Sequence, residues 1–99
     1  MIETIDLSKA THLTQLKLGN AAEDYKNKNL LSLTLGNNTL LKIVDVRNCP
    51  SLTQSVDMSG CTGLEEVYFD GTSIASLSLP NGGVLKKLHL PETIVNLTL

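Results

Sequence analysis

The chain has 99 residues, 41% of them hydrophobic, with eight Lys and Arg, ten Asp and Glu and a formal net charge of −2. That length fits one domain; interspersed charges without a basic run leave nucleic acid no electrostatic footprint, and apolar runs of only a few residues exclude a transmembrane helix. The opening MIETIDLS has neither a basic nor an apolar leader region, so no signal peptide is expected in it.

A repeat runs through the chain. With the template L-x-x-L-x-L-x-x-(small), any aliphatic being allowed at the L sites, the first unit starts at Ile2 and the second at Leu13. A polar excursion, GNAAEDYKNKN, then delays the third unit to Leu30; its AAEDYK could make one helical turn, but a surface loop over Glu23 to Asn29 is the expectation. The fourth unit starts at Leu41 and the fifth at Leu52, where one extra residue is needed before Val56. Leu64, Ile74, Leu85 and Ile94 start the remaining units.

At the fourth position stand Ile5, Leu16, Leu33, Val44, Val56, Val67, Leu77, Leu88 and Leu97. At the sixth stand Leu7, Leu18, Leu35, Val46, Met58, Phe69, Leu79, Leu90 and Leu99. Neither column contains a polar residue. The L-x-L step is period-two alternation, which predicts a short strand in each unit. Turn residues separate the strands, among them Gly36-Asn37-Asn38, Asn48-Cys49-Pro50 and Asp70-Gly71. The ninth position is always small: Ala10, Ala21, Asn38, Cys49, Cys61, Thr72, Gly82, Thr93. That column predicts a cramped, buried turn in which Asn, Thr and Cys can bond backbone that would otherwise be unpaired. Cys49 and Cys61 occupy equivalent places in it and are expected to pack as small hydrophobes, not as a disulfide or a zinc site.

Eleven residues are too few for a closed coil, so two units are expected to make one coil with a strand on each side. Odd strands would then stack on odd and even on even, at about 4.8 Å. Outward residues of the odd units are mostly small: Thr4, Asp6, Ser8; Ser32, Thr34, Gly36; Ser55, Asp57, Ser59; Ser76, Ser78, Pro80. Those of the even units are larger and charged. Large groups supply most binding energy, so the even side is the candidate binding face: Lys17, Asp45, Arg47, Glu66, Tyr68, Asp70, Lys87 and His89. A purely structural reading stands beside it, in which Lys17 faces Asp45, Arg47 faces Asp70 and Glu66 faces Lys87 across neighbouring strands.

The stretches IETIDLSKATHLTQLKLGNA and LKIVDVRNCPSLTQSVDMSGCTGLEEVYFDGTS resemble bacterial leucine-rich repeats of the LTSLDLSxNTxLxxLxxxNN kind. The closing LKKLHLPETIVNLTL is similar to the BspA-like class, with its L-x-x-L-x-L-P signature at Leu79-Pro80 and Leu90-Pro91. The run VDVRNCPSL…DMSGCTGLEEVYFDGTSI also resembles repeat modules of gut bacteriophage tail-associated proteins. The resemblance covers nearly the whole chain apart from the polar excursion. It implies a mainly β leucine-rich-repeat solenoid of about four to five coils, with two short strands per coil and little or no helix. Residues 1–99 would form one domain, part of a longer array or assembly. It also implies a non-enzymatic role without cofactors or catalytic or metal-binding residues: a protein- or glycan-binding adhesion module at a bacterial surface or in a virion, or alternatively a structural spacer. These families share no fixed set of functional residues, so none is carried over. Because repeat arrays need polar caps, self-association or assembly through uncapped ends is a further expectation.

Overall fold

In the computed structural model, residues 4–19, 29–80 and 84–98 are described. All of the polar excursion except Gly19 and Asn29, and the turn at residues 81–83, lie outside them. Ala21 and Gly82 of the small-residue column, and Leu99 of the sixth-position column, lie outside them as well.

Each unit yields one short strand centred on its fourth-position aliphatic. In chain order these are β1 (Thr4–Asp6), β2 (Gln15–Lys17), β3 (Ser32–Thr34), β4 (Ile43–Asp45), β5 (Val56–Asp57), β6 (Glu66–Tyr68), β7 (Ser76–Ser78), β8 (Lys87–His89) and β9 (Asn96–Thr98). No helix occurs among the described residues. Every pairing is parallel, and each joins units two apart. Equivalent positions meet: Leu16 lies opposite Val44, Val44 opposite Val67, and Val67 opposite Leu88.

The even strands form one sheet in the order β2-β4-β6-β8. The odd strands were expected to form a matching sheet, but they split into β1-β3 and β5-β7-β9. The extra residue of unit five is the cause. It lies between Leu52 and Val56 and shortens β5 to two residues, with Ser55 outside the strand. The ladder is lost there as it is at a bulge.

Inward residues from both sets of strands share one core. Leu33 and Leu77 from odd strands join Val44 and Val67 from even ones, along with Leu30, Leu41, Leu52, Leu64 and Phe69. Burying each such side chain contributes about 1.5–3 kcal/mol. Burial falls away at both ends of the stack: Ile5, Leu18, Leu88 and Leu90 are only partly covered, and Val95 and Leu97 are exposed.

The small-residue column is buried in the middle of the stack, at Asn38, Cys49, Cys61 and Thr72, but exposed at Ala10 and Thr93. Its polar members bond turn carbonyls. Asn38 Nδ2 donates to the carbonyls of Leu7 and Leu35, and Thr72 Oγ1 donates to that of Phe69 at 2.8 Å. Both thiols are free and buried. Burial pushes the Cys49 thiol up to about 11, with help from the nearby Asp45 charge, and raises that of Cys61 in the same direction. Neither is a thiolate at neutral pH, which suits a packing role and not a nucleophilic one.

The turns need left-handed backbone at Gly36 (φ 62°), Asn48 (φ 59°) and Gly71 (φ 78°). At Gly71 a Cβ would also lie 2.7 Å from Asn48 Oδ1, so neighbouring turns touch where only glycine fits.

Candidate binding face

The even sheet carries all eight candidate residues on its outward side and the turns that follow. Alternation along each strand turns Val44, Val67 and Leu88 inward, leaving Asp45, Tyr68 and His89 outward. Parallel register then sets these residues in a row: Lys17 opposite Asp45, Asp45 opposite Tyr68, Tyr68 opposite His89. Two positions earlier, Glu66 lies opposite Lys87.

Six of the eight residues form a connected network. Arg47 grips Asp45 two residues back on the same chain segment: Nε donates to Oδ1 at 3.0 Å and Nη2 to Oδ2 at 2.7 Å. The Arg47 backbone N–H adds a third bond to Oδ1 at 3.1 Å. The guanidinium then lies 4.7 Å from the centroid of the Tyr68 ring, a cation–π distance. The Tyr68 and His89 rings are 5.0 Å apart and tilted by 44°. The Tyr68 hydroxyl donates to Glu66 Oε1 at 2.5 Å. His89 Nδ1 stands 3.4 Å from Asp70 Oδ2.

This revises part of the cross-strand pairing expected from the sequence. Lys17 does lie opposite Asp45 and Glu66 opposite Lys87, but Arg47 bonds Asp45 two residues back on its own segment, while Asp70 meets His89. Glu66 takes the tyrosine hydroxyl, and just before these strands Lys86 pairs with Glu65 at 3.7 Å. Side chains two apart on a strand share a face, and the guanidinium fork fits a carboxylate better than one distant charge does. Lys17 and Lys87 are exposed and flank the network.

The Asp45 side chain is only 8% exposed. Burial raises its pKa, but the hydrogen bonds from the Arg47 side chain and backbone, with the positive charges of Arg47 and Lys17, outweigh burial and hold it below the ordinary carboxylate value. The same side-chain bond raises the pKa of Arg47. The bond to Glu66 raises that of Tyr68. Asp45 and Arg47 are therefore a charged, hydrogen-bonded pair at neutral pH. With three cations (Lys17, Arg47, Lys87) and three carboxylates (Asp45, Glu66, Asp70), the face has no dominant sign.

Asp45 also has a backbone duty that the sequence reading missed. Asp6, Asp45 and Asp57 each accept the N–H of the residue two positions on, namely Ser8, Arg47 and Ser59. The repeated Asp-x-Ser or Asp-x-Arg spelling was the available signal, since Asp closes such turns. Beside the network, a hollow of about 430 Å³ adjoins Asp70 and is lined in part by Thr72, Leu90, Pro91 and Glu92. Among the described residues no group of three His, Cys, Asp or Glu is placed to hold a metal ion.

Together these features describe a parallel β protein with one outward sheet of mixed charge and stacked planar groups. No protein-family model and no solved structure matches the chain. Over 106 aligned residues it is 33% identical to the Arabidopsis thaliana Protein SUPPRESSOR OF npr1-1, CONSTITUTIVE 1, with 96% of this chain aligned. The chain spans 7% of that protein's length.

Proposed function

We propose that the chain is a leucine-rich-repeat solenoid of the bacterial type, with two strands per coil, whose even sheet is a non-enzymatic binding surface for a protein or glycan. The parallel pairing of units two apart and the shared core support the solenoid reading. The setting that the sequence resemblance favours is a bacterial surface or phage tail protein. The observation that carries the binding reading is the Arg47–Tyr68–His89 row: three planar, amphipathic groups side by side on neighbouring units, of which Arg and Tyr are types enriched where binding energy concentrates. Lys17 and Lys87 add exposed positive charge at its margins. The exposed Val95 and Leu97, together with the outer edges of β8 and β9, support self-association through that edge.

A structural spacer is the second reading, favoured by one specific observation. Arg47 is already satisfied by Asp45 and Tyr68, as in a face whose polar groups serve the fold alone. Probing an array of glycans and purified surface proteins with the intact chain and with Tyr68→Ala and Arg47→Ala separates the two. The binding reading expects a retained ligand lost in both variants while each stays folded. Absence of any retained ligand, or retention unchanged in both folded variants, favours the spacer.

A further inference from the structure

The split in the odd strands creates a site of its own. At every other internal junction of the described strands, the sixth-position N–H donates to the fifth-position carbonyl of the next strand in its sheet. Leu7 donates to Thr34, Leu18 to Asp45, Val46 to Tyr68, Met58 to Ser78, Phe69 to His89 and Leu79 to Thr98, all at 2.8–3.0 Å. The equivalent bond from Leu35 to Asp57 is absent, and the Leu35 N–H makes no hydrogen bond to a described residue although Leu35 is only 1% exposed. A buried N–H without a partner is uncommon and costly. Between β3 and β5 lies a cleft of about 240 Å³.

The walls of this cleft mix polar and apolar surface in about equal parts. Thr34, Asn37, Asp57 and Ser59 line it beside Leu35. Asp57 Oδ1 accepts the Ser59 N–H at 2.9 Å and the Ser59 hydroxyl at 2.6 Å. Those bonds hold its carboxyl below the ordinary value, so it is ionised at neutral pH and Oδ2 stays open as an acceptor. Gly60 brings the Asn37 amide to the rim: a Cβ at Gly60 would fall 1.9 Å from Asn37 Oδ1.

We propose that the β3–β5 cleft binds a small neutral polyhydroxylated ligand, the size of a single sugar ring, through the Leu35 N–H, the Asp57 carboxylate and the Asn37 amide. The volume lies below the ~300–1,000 Å³ of pockets for drug-sized ligands and equals about eight waters. An anion is repelled by Asp57. A divalent cation wants about six or more oxygens, and Asp57 is the only carboxylate among the described residues that line the cleft. An apolar ligand would strand the Leu35 N–H. Hydroxyl groups both donate and accept, so they suit a wall holding both kinds of partner. This site is separate from the even face and does not depend on its role.

The test is titration of the intact chain with glucose, galactose, mannose and N-acetylglucosamine, followed by backbone amide chemical shifts. The expected result is a saturable shift of the Leu35, Asp57 and Ser59 amides with at least one sugar. Asp57→Asn, which keeps the acceptor for Ser59 but removes the charge, weakens that binding about tenfold or more. Gly60→Ala displaces the Asn37 amide from its place at the rim and weakens binding. Tyr68→Ala on the opposite face leaves it unchanged, so failure here and failure of the even face are distinguishable. No saturable shift with any of the four sugars would overturn the proposal. So would binding that Asp57→Asn leaves intact, or saturable shifts with methylammonium chloride and none with a sugar.

Discussion

Removing the Arg47 side chain perturbs both the stability and the electrostatics of the even face. Arg47→Ala deletes the two side-chain bonds to Asp45, at 3.0 and 2.7 Å, and the guanidinium above Tyr68. The backbone bond from residue 47 survives. Hydrogen bonds to charged groups contribute about 1.5–3 kcal/mol each and an exposed cation–π contact about 0.5–1. The Arg47 side chain is 28% exposed, and water can reach part of the freed carboxylate, so the expected loss is about 2–3 kcal/mol at pH 7. Its pH dependence has a definite sign. In the intact chain the Asp45 pKa is lowered on folding, so its contribution is present above the unfolded value and lost as pH falls through the folded one. Without the Arg47 side chain, burial is opposed only by the backbone bond and Lys17, so the folded pKa rises and the ionised carboxylate contributes less at neutral pH. Protonation below about pH 4 removes this difference. Urea unfolding of both proteins at pH 7 and pH 3 should show the gap shrinking toward acid. Arg47→Lys, which keeps the charge without the fork, should fall between the two. A loss below about 0.5 kcal/mol at pH 7, the size of an ordinary surface substitution, or a gap unchanged at pH 3, would refute the reasoning.

Other consequences are open to direct measurement. Phe69→Ala empties the centre of the core and should cost about 3–5 kcal/mol in urea unfolding; a loss under 1 kcal/mol would mean the centre collapses freely. Gly71→Ala forces a side chain into left-handed backbone against Asn48 and should cost about 1–3 kcal/mol, whereas substitution of the exposed Thr53 should be close to neutral. Both cysteines should resist a thiol reagent at pH 8 in the folded chain and react fully in denaturant, given their burial and raised pKa values. The Leu35 amide should exchange its hydrogen faster than those of Val46 and Phe69, and deletion of Gln54, which restores the usual spacing before Val56, should slow it to match them.

Much of this architecture is legible in the amino-acid order, because period-two alternation dictates which side chains turn inward. Val44, Val67 and Leu77 could be placed in the core, and Asp45 opposite Tyr68, from the repeat alone. The choice of partner within the face could not. Arg47 can reach Asp45 on its own strand or Asp70 on the next, and the fork geometry of the nearer carboxylate decides between them. The extra residue of unit five was visible as an irregular spacing. Whether the chain would absorb it in the turn or break the ladder depends on how tightly neighbouring turns pack, as Gly60 does against Asn37. That packing is set by coils more than twenty residues apart and leaves no local trace.

The working face is tested most directly by mapping backbone amide shifts on addition of the first ligand retained on the glycan and protein array. Changes clustered on β4, β6 and β8, with Tyr68 and His89 the most affected, are the expected result. Changes confined to the odd strands, with β4, β6 and β8 undisturbed, would contradict a binding role for the even sheet.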